Sequence, residues 1–272
     1  MDADGGTVSP QTVTVIPSAA IGNRLPTPIR DGYWFDGWFD AQNRLVTAIT
    51  IAPEEATTFT ARWSNGVIWH SDSVAVGFWP NEIINVYIAP ITQPEQGTVS
   101  TSFQWDTWAR EAINTWQEAL FVDIDIVSTP ANAQIRMHGG DRERFERREE
   151  RDFHGRHGVA FLNDEHMPVV GTVFVNGFNR EIRRMVVPTD VLIFSVYSGN
   201  NWTTTEQNRI RATAIHELGH TMGWFGHSIP IVGNMSDVMW ASVRDDIVVH
   251  GNRIILQENE ATHLLQIYDR FR

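Results

Sequence analysis

The stretch HELGHTMGWFGH, residues 216 to 227, carries two histidines four positions apart. Four residues advance a helix by just over one turn, so His216 and His220 project from the same face and can bind one zinc ion through imidazole nitrogen. Glu217 then lies beside that ion, unable to reach it easily as a ligand but placed to take a proton from a water the cation has acidified. The helix that must carry these groups is announced upstream in TTTEQNRIRATAIHELGH, where Thr203 with Glu206, or Thr204 with Gln207, can form a capping box. Gly223, three residues after His220, lets the helix end in the left-handed conformation that glycine adopts without a Cβ penalty, and the chain can turn back beneath the metal.

Further along, His227 offers a third imidazole and SDVMW puts Met239 in a short polar-flanked turn. Together these features resemble the metzincin zinc metalloproteases, His-Glu-x-x-His-x-x-Gly-x-x-His followed by a Met-turn, and the matrixin-like members in particular. The likeness extends over residues 83 to 272. WAREAINTWQEAL is similar to the first active-site helix of that family, HGVAFLN to its antiparallel edge strand, and LLQIYDRF to its closing helix. By that resemblance His216, His220 and His227 are the zinc ligands, Glu217 is the general base, and Met239 is the methionine under the metal. This sequence departs from the pattern in having one residue more between Gly223 and the last histidine. A bulge or wider loop over Trp224 to Gly226 must absorb it, and Gly226 is the residue best suited to such a backbone. Catalytic zinc keeps three protein ligands, so His227 is expected to complete the set, with Asp237 as the substitute.

A second group, HGRHGVAFLNDEH, contains His154, His157, Asp164 and His166. Matrixins hold a structural zinc with three histidines and an aspartate in the corresponding region, and His157 fits that best. The remaining spacing matches poorly, and solvent-exposed histidines around a substrate-binding edge are the plainer expectation. A second structural zinc or a calcium ion stays open.

The elements expected around the motif are a strand over residues 83 to 89, a helix over 103 to 120, and strands near 122 to 127 and 133 to 138. The helix puts Trp105, Trp108, Ala112, Trp116 and Ala119 or Leu120 on one stripe, which reads as core. GDRERFERREERD reads as a solvated loop. HGVAFLN, TVFVNGF and DVLIFSVY read as strands, residues 204 to 222 as the histidine-bearing helix, and LQENEATHLLQIYDRF as a closing amphipathic helix with Ala261, Leu264, Leu265 and Tyr268 on one face. Trp224, Phe225 and the segment from Trp240 to His250 are expected to shape a pocket beyond the scissile bond, with an apolar preference.

Residues 1 to 63 differ in kind: short β-like runs (TVTVIP, RLVTAITI, TTFTARW) alternate with turn signals. In GYWFDGWFD the rings Tyr33, Trp34, Phe35, Trp38 and Phe39 are expected mainly as the core of a small all-β module. DADGGTV, LPTPIRDGYWFDGWFD, VTAITI and TTFTARW together resemble one Listeria-Bacteroides repeat of the internalin B type, a β-grasp-like module found in tandem on bacterial surface proteins. SNGVIWHSDSVAVGFWPNE, residues 64 to 82, reads as a linker packed on a neighbour. The expected fold class is therefore α+β. By these resemblances residues 1–63 are expected to form the repeat, 64–82 a linker, and 83–272 a metzincin-like domain with a twisted mixed sheet, an antiparallel edge strand, two long active-site helices and a C-terminal helix.

The chain has 272 residues, no cysteine and a formal net charge of −12. That charge argues against nucleic acid or an anionic membrane surface as the main partner, and the missing cysteine leaves any metal to His, Asp or Glu. No run approaches the roughly 20 apolar residues of a membrane span. MDADGGTVSP lacks the basic and apolar regions of a signal peptide, so a targeting segment is expected to lie outside this chain. The expectation is an extracellular, monomeric zinc metalloendopeptidase acting on protein or peptide substrate, which would add as a strand beside residues 158 to 163. The rival from another class is a surface adhesin or binding module whose metal domain is catalytically inactive; the intact Glu217 speaks against it.

Overall fold

The computed structural model describes residues 1–91, 99–162, 166–197, 199–229, 237–241, 249–250 and 253–272. In chain order the strands and helices are β1 (Tyr33–Phe39), β2 (Leu45–Val46), β3 (Thr60–Asn65), β4 (Ala75–Phe78), β5 (Ile83–Ile88), α1 (Trp105–Leu120), β6 (Asp123–Val127), β7 (Ile135–Asp141), α2 (Arg142–Glu149), β8 (Gly158–Phe161), β9 (Val169–Val175), β10 (Phe178–Arg184), β11 (Thr189–Ser195), α3 (Thr204–Thr221), β12 (Val249–His250), β13 (Arg253–Ile254) and α4 (Glu258–Phe271). Sheets combined with four α-helices among the described residues make this an α+β chain. None of those helices is long and apolar enough to cross a membrane. The fold divides into two compact units: Met1–Trp69 with Gly171–Glu181, and His70–Val170 with Ile182–Arg272.

In the first unit β1 pairs antiparallel with β2 and β3. Its register shifts between Phe35 and Gly37, where Gly37 takes φ 133° and a Cβ would lie 2.5 Å from Leu45. The core gathers Ile21, Trp38, Val46, Ala52, Phe59 and Ala61. Trp38, buried, and Trp63, partly buried, send the indole N–H to the carbonyls of Pro26 and Ala3, so neither donor is stranded. Trp34 is buried as well, whereas Tyr33, Phe35 and Phe39 are partly open. The tip of the β9–β10 hairpin belongs to this unit, with Tyr33 opposite Phe174.

The second unit is built on a five-stranded sheet in the order β6-β5-β7-β11-β8. The first four strands run parallel to their neighbours and β8 runs antiparallel to β11 at the end of the sheet. Strand β11, flanked by β7 and β8, carries the continuous apolar run Val191–Phe194, all buried, as a strand covered on both faces requires. On α1 the stripe Trp105, Trp108, Ala112, Trp116 and Leu120 is buried as expected. Gly139 in β7 leaves room for the Trp105 ring, which would lie 2.3 Å from a Cβ there. Two contacts fasten α1 to the histidine helix. Trp116 donates its indole N–H to the Ile215 carbonyl at 2.8 Å, and Arg211 grips Glu111 with two hydrogen bonds of 2.5 and 2.8 Å. On α4, Glu260, His263, Leu264, Ile267 and Tyr268 are the buried residues, while Ala261 and Leu265 are only half-buried.

Two expectations are corrected here. The charge run from Gly140 is not a loop: it forms α2, capped by the Asp141 carboxylate accepting from the Arg144 N–H, and its one apolar residue, Phe145, packs with Phe153, Leu192 and Phe194. A single buried ring is enough to seat two turns whose other faces are solvated. The stretch read as a linker also has structure. β3 runs through Asn65, and from His70 onward the chain is part of the second unit, with Val76, Phe78 and Trp79 buried in it. Its Ser, Gly and Asp content resembles a linker, but its apolar residues are core.

Candidate metal centre

Helix α3 begins with Thr203 accepting from the Glu206 N–H, while the Glu206 carboxylate accepts from the Thr203 N–H. Of the two capping boxes the sequence offered, this is the one formed, and it starts the helix that brings His216 and His220 onto one face. Their Nε2 atoms are 3.0 Å apart. His227 joins them, its ring centre 5.4 Å from that of His216 and 5.2 Å from that of His220. One ring nitrogen from each of the three lies within 4.8 Å of the others, the only such set of metal-ligating groups among the described residues.

The tautomers of two of these rings follow from their partners. His216 Nδ1 faces the Val238 carbonyl and His220 Nδ1 faces the Trp224 carbonyl, each at 2.7 Å. A carbonyl only accepts, so both Nδ1 atoms carry the proton. Burial pushes the His216 pKa well down, reinforced by the neighbouring His220, and burial takes His220 down to about 4. Both rings are therefore neutral near pH 7, and two bare Nε2 lone pairs confront each other across 3.0 Å with no proton to share. That arrangement is repulsive unless a cation stands between them. Two nitrogens on a tetrahedral zinc are about 3.3 Å apart, given Zn–N bonds of roughly 2.0 to 2.1 Å. The pair is near that spacing, so these residues fit a metal ion. The His227 pKa is also lowered, chiefly by burial.

Glu217 keeps part of its surface open, but protein atoms crowd its carboxyl, and the lost hydration pushes its pKa up to about 8. The Ala160 N–H on β8 donates to it and the Arg156 charge acts on it, both in the opposite sense. Gly158 makes this approach possible, since a Cβ there would lie 2.9 Å from Glu217 Cγ. A cavity of about 460 Å³ runs along β8, lined by Arg151, Phe153, Arg156, Val159, Ala160 and Phe161 among others.

The loop after α3 takes up the extra residue with two glycines of positive φ, Gly223 at 114° and Gly226 at 71°. Met239 is fully buried, and its sulfur would lie 2.6 Å from a Cβ on Gly219, between the two helix histidines in sequence. Asp237 is not part of the metal-holding set; its carboxylate is 2.5 Å from His70 Nε2 in a buried pair. Trp224 and Phe225, expected at a pocket, are core residues. Both are buried, Trp224 against His263 with ring centres 4.3 Å apart, and Phe225 against Gly77. Trp240 is half-buried, while residues 242 to 248 lie outside the described residues. Among the described residues, His154, His157 and His166 do not form a second metal-holding set, and Asp164 lies outside those residues.

Sequence reasoning missed several groups that support the site. Glu260 on α4 accepts from the Met239 N–H at 2.6 Å and the Gln257 N–H at 2.7 Å. Burial raises its pKa to about 8 against the pull of those donors. Ser71, Asp72 and the His70–Asp237 pair lie in the supposed linker and its partners. Only the capping-box pairing of Gln257 with Glu260 left a local trace in the sequence. No family model matches this chain, and no curated protein shows significant similarity to it.

Proposed function

We propose that this protein is a zinc-dependent endopeptidase of the metzincin kind, secreted or held at a bacterial surface, with residues 1–63 acting as a surface-protein repeat. The observation that carries the reading is the pair of bare Nε2 lone pairs on His216 and His220, joined by His227, with a buried carboxyl next to them in the chain. A zinc ion bound by the three rings would supply a Lewis acid for the scissile carbonyl and raise the acidity of an attacking water. The chain's own contribution starts with His216 and His220, whose Nδ1–H groups are tied to carbonyls so that Nε2 faces the metal. Glu217 takes the proton from the attacking water and returns it to the leaving amine. Its pKa of about 8 belongs to the site without the charge of a cation, and Glu217 beside a bound dication would be held lower, toward the range of a working base. Substrate lies along β8, the last strand of the sheet among the described residues, as an added strand in the cavity beside Val159 to Phe161.

A peptide-library cleavage assay tests this. Hydrolysis that stops with a chelator and returns with zinc supports the proposal, whereas a metal-bound protein that cleaves no peptide would favour a binding module with an inactive metal domain.

A further inference from the structure

We infer that Ser71 and Asp72 are positioning residues for His227, aiming the third imidazole at the metal across a loop that is one residue longer than the family pattern. This rests on the metal-site reading given above. His216 and His220 are each oriented by a hydrogen bond from Nδ1 to a carbonyl. Among the described residues the His227 ring has no such bond, so the backbone must aim it. That backbone is held on both sides by Asp72, 155 positions away in sequence: the His227 N–H donates to Asp72 Oδ1 at 2.6 Å, and the Asp72 N–H donates to the His227 carbonyl at 2.8 Å.

The neighbouring residues extend the same clamp. Ser71 Oγ donates to the Phe225 carbonyl, Ser71 and Ser228 form an antiparallel bridge, and the Ile229 N–H donates to the His70 carbonyl at 3.0 Å. A wider loop has more backbone groups to satisfy, and these partners satisfy them. Gly226 fits the same contact: a Cβ there would stand 2.2 Å from Asp72 Oδ1. Asp72 also acts through its charge, since its carboxylate favours the protonated forms of His220 and His227. Position and charge are separable, because asparagine keeps the acceptor oxygen and loses the charge.

The test uses the full chain and two readouts other than hydrolysis: zinc affinity by competition with a chromophoric chelator, and the visible absorption spectrum of the cobalt-loaded protein. Asp72 is exposed, so its replacement leaves the core intact. Asp72→Ala is expected to weaken zinc binding about 10- to 100-fold and to change the cobalt spectrum, the size of effect seen when a ligand's outer partner is removed. Asp72→Asn should restore affinity to within about threefold, and Ser71→Ala, which removes one hydrogen bond to the loop, should cost about threefold or more. Wild-type affinity and spectrum in Asp72→Ala would overturn the inference and leave the metal site standing. An Asp72→Asn protein as weak as Asp72→Ala would also overturn it, because charge and not position would then be the cause. A wild-type chain that binds neither metal would remove the metal-site reading itself, and this inference with it.

Discussion

Gly219 and Met239 meet so closely that a Cβ on the glycine would lie 2.6 Å from the methionine sulfur and 2.6 Å from the Trp116 ring. Glycine inside a helix ordinarily costs up to about 1 kcal/mol relative to alanine. Here the sign should reverse. Gly219→Ala inserts a methyl into a packed contact, a change that costs about 1 to 3 kcal/mol, so the denaturation midpoint should fall. Because Gly219 sits directly before His220, zinc affinity should fall as well. A midpoint above that of the wild type would show that the Met239 turn yields freely and supports nothing.

In the proposed mechanism Glu217 is the group on which hydrolysis depends most directly, and it is not one of the three grouped imidazoles. Glu217→Gln keeps the shape and an acceptor for the Ala160 N–H while removing the base. Peptide turnover should drop by at least about 100-fold, the lower end of what general-base catalysis contributes. Zinc affinity should remain within a few fold of the wild type, since all three imidazoles are untouched. Turnover close to that of the wild type would remove Glu217 from the mechanism.

The same variant isolates a pH dependence. In the metal-free fold the Glu217 pKa is raised to about 8 from an ordinary value of 4.5, so between those limits the folded state binds more protons than the unfolded one. A raised pKa contributes stability that is fully present below 4.5 and is lost as pH rises through 8. Subtracting the stability of Glu217→Gln from that of the wild type, both stripped of metal, cancels the histidines and Glu260. The difference should decline steadily from pH 4.5 to pH 8 and then level off. A difference that is flat, or that grows with pH, would mean the carboxyl is ionised in the metal-free fold.

The parts of this molecule that could be read from sequence are those specified within a few residues. The Thr203–Glu206 cap, the four-residue spacing of His216 and His220 and the tryptophan stripe of α1 depend on helical geometry alone, and the structure has them all. Helix α2 was hidden because only Phe145 in it is buried, and one apolar residue makes no period. Asp72 left no local trace, since its partner lies 155 positions away and its Ser-rich surroundings look like linker. The burial of Trp224 and Phe225 was not legible because an aromatic pair beside a metal motif reads equally well as pocket wall or core, and only the fold shows Gly77 and His263 packed against them.

The extra residue of the motif offers a last prediction. Gly226 combines φ 71°, a conformation that side chains rarely adopt, with an approach of 2.2 Å from its would-be Cβ to Asp72 Oδ1. Gly226→Val should therefore strain the backbone by about 1 to 3 kcal/mol and push Asp72 off the His227 N–H, lowering zinc affinity although no ligand has changed. Gly177 is the control. It shares the positive φ, at 80°, but has nothing within 4 Å of a Cβ, and it lies in the first unit, so Gly177→Val should cost stability without altering zinc binding. Equal zinc affinity in the two variants would show that the loop from Trp224 to His227 accepts the valine by moving, and that its width does not determine where the third histidine points.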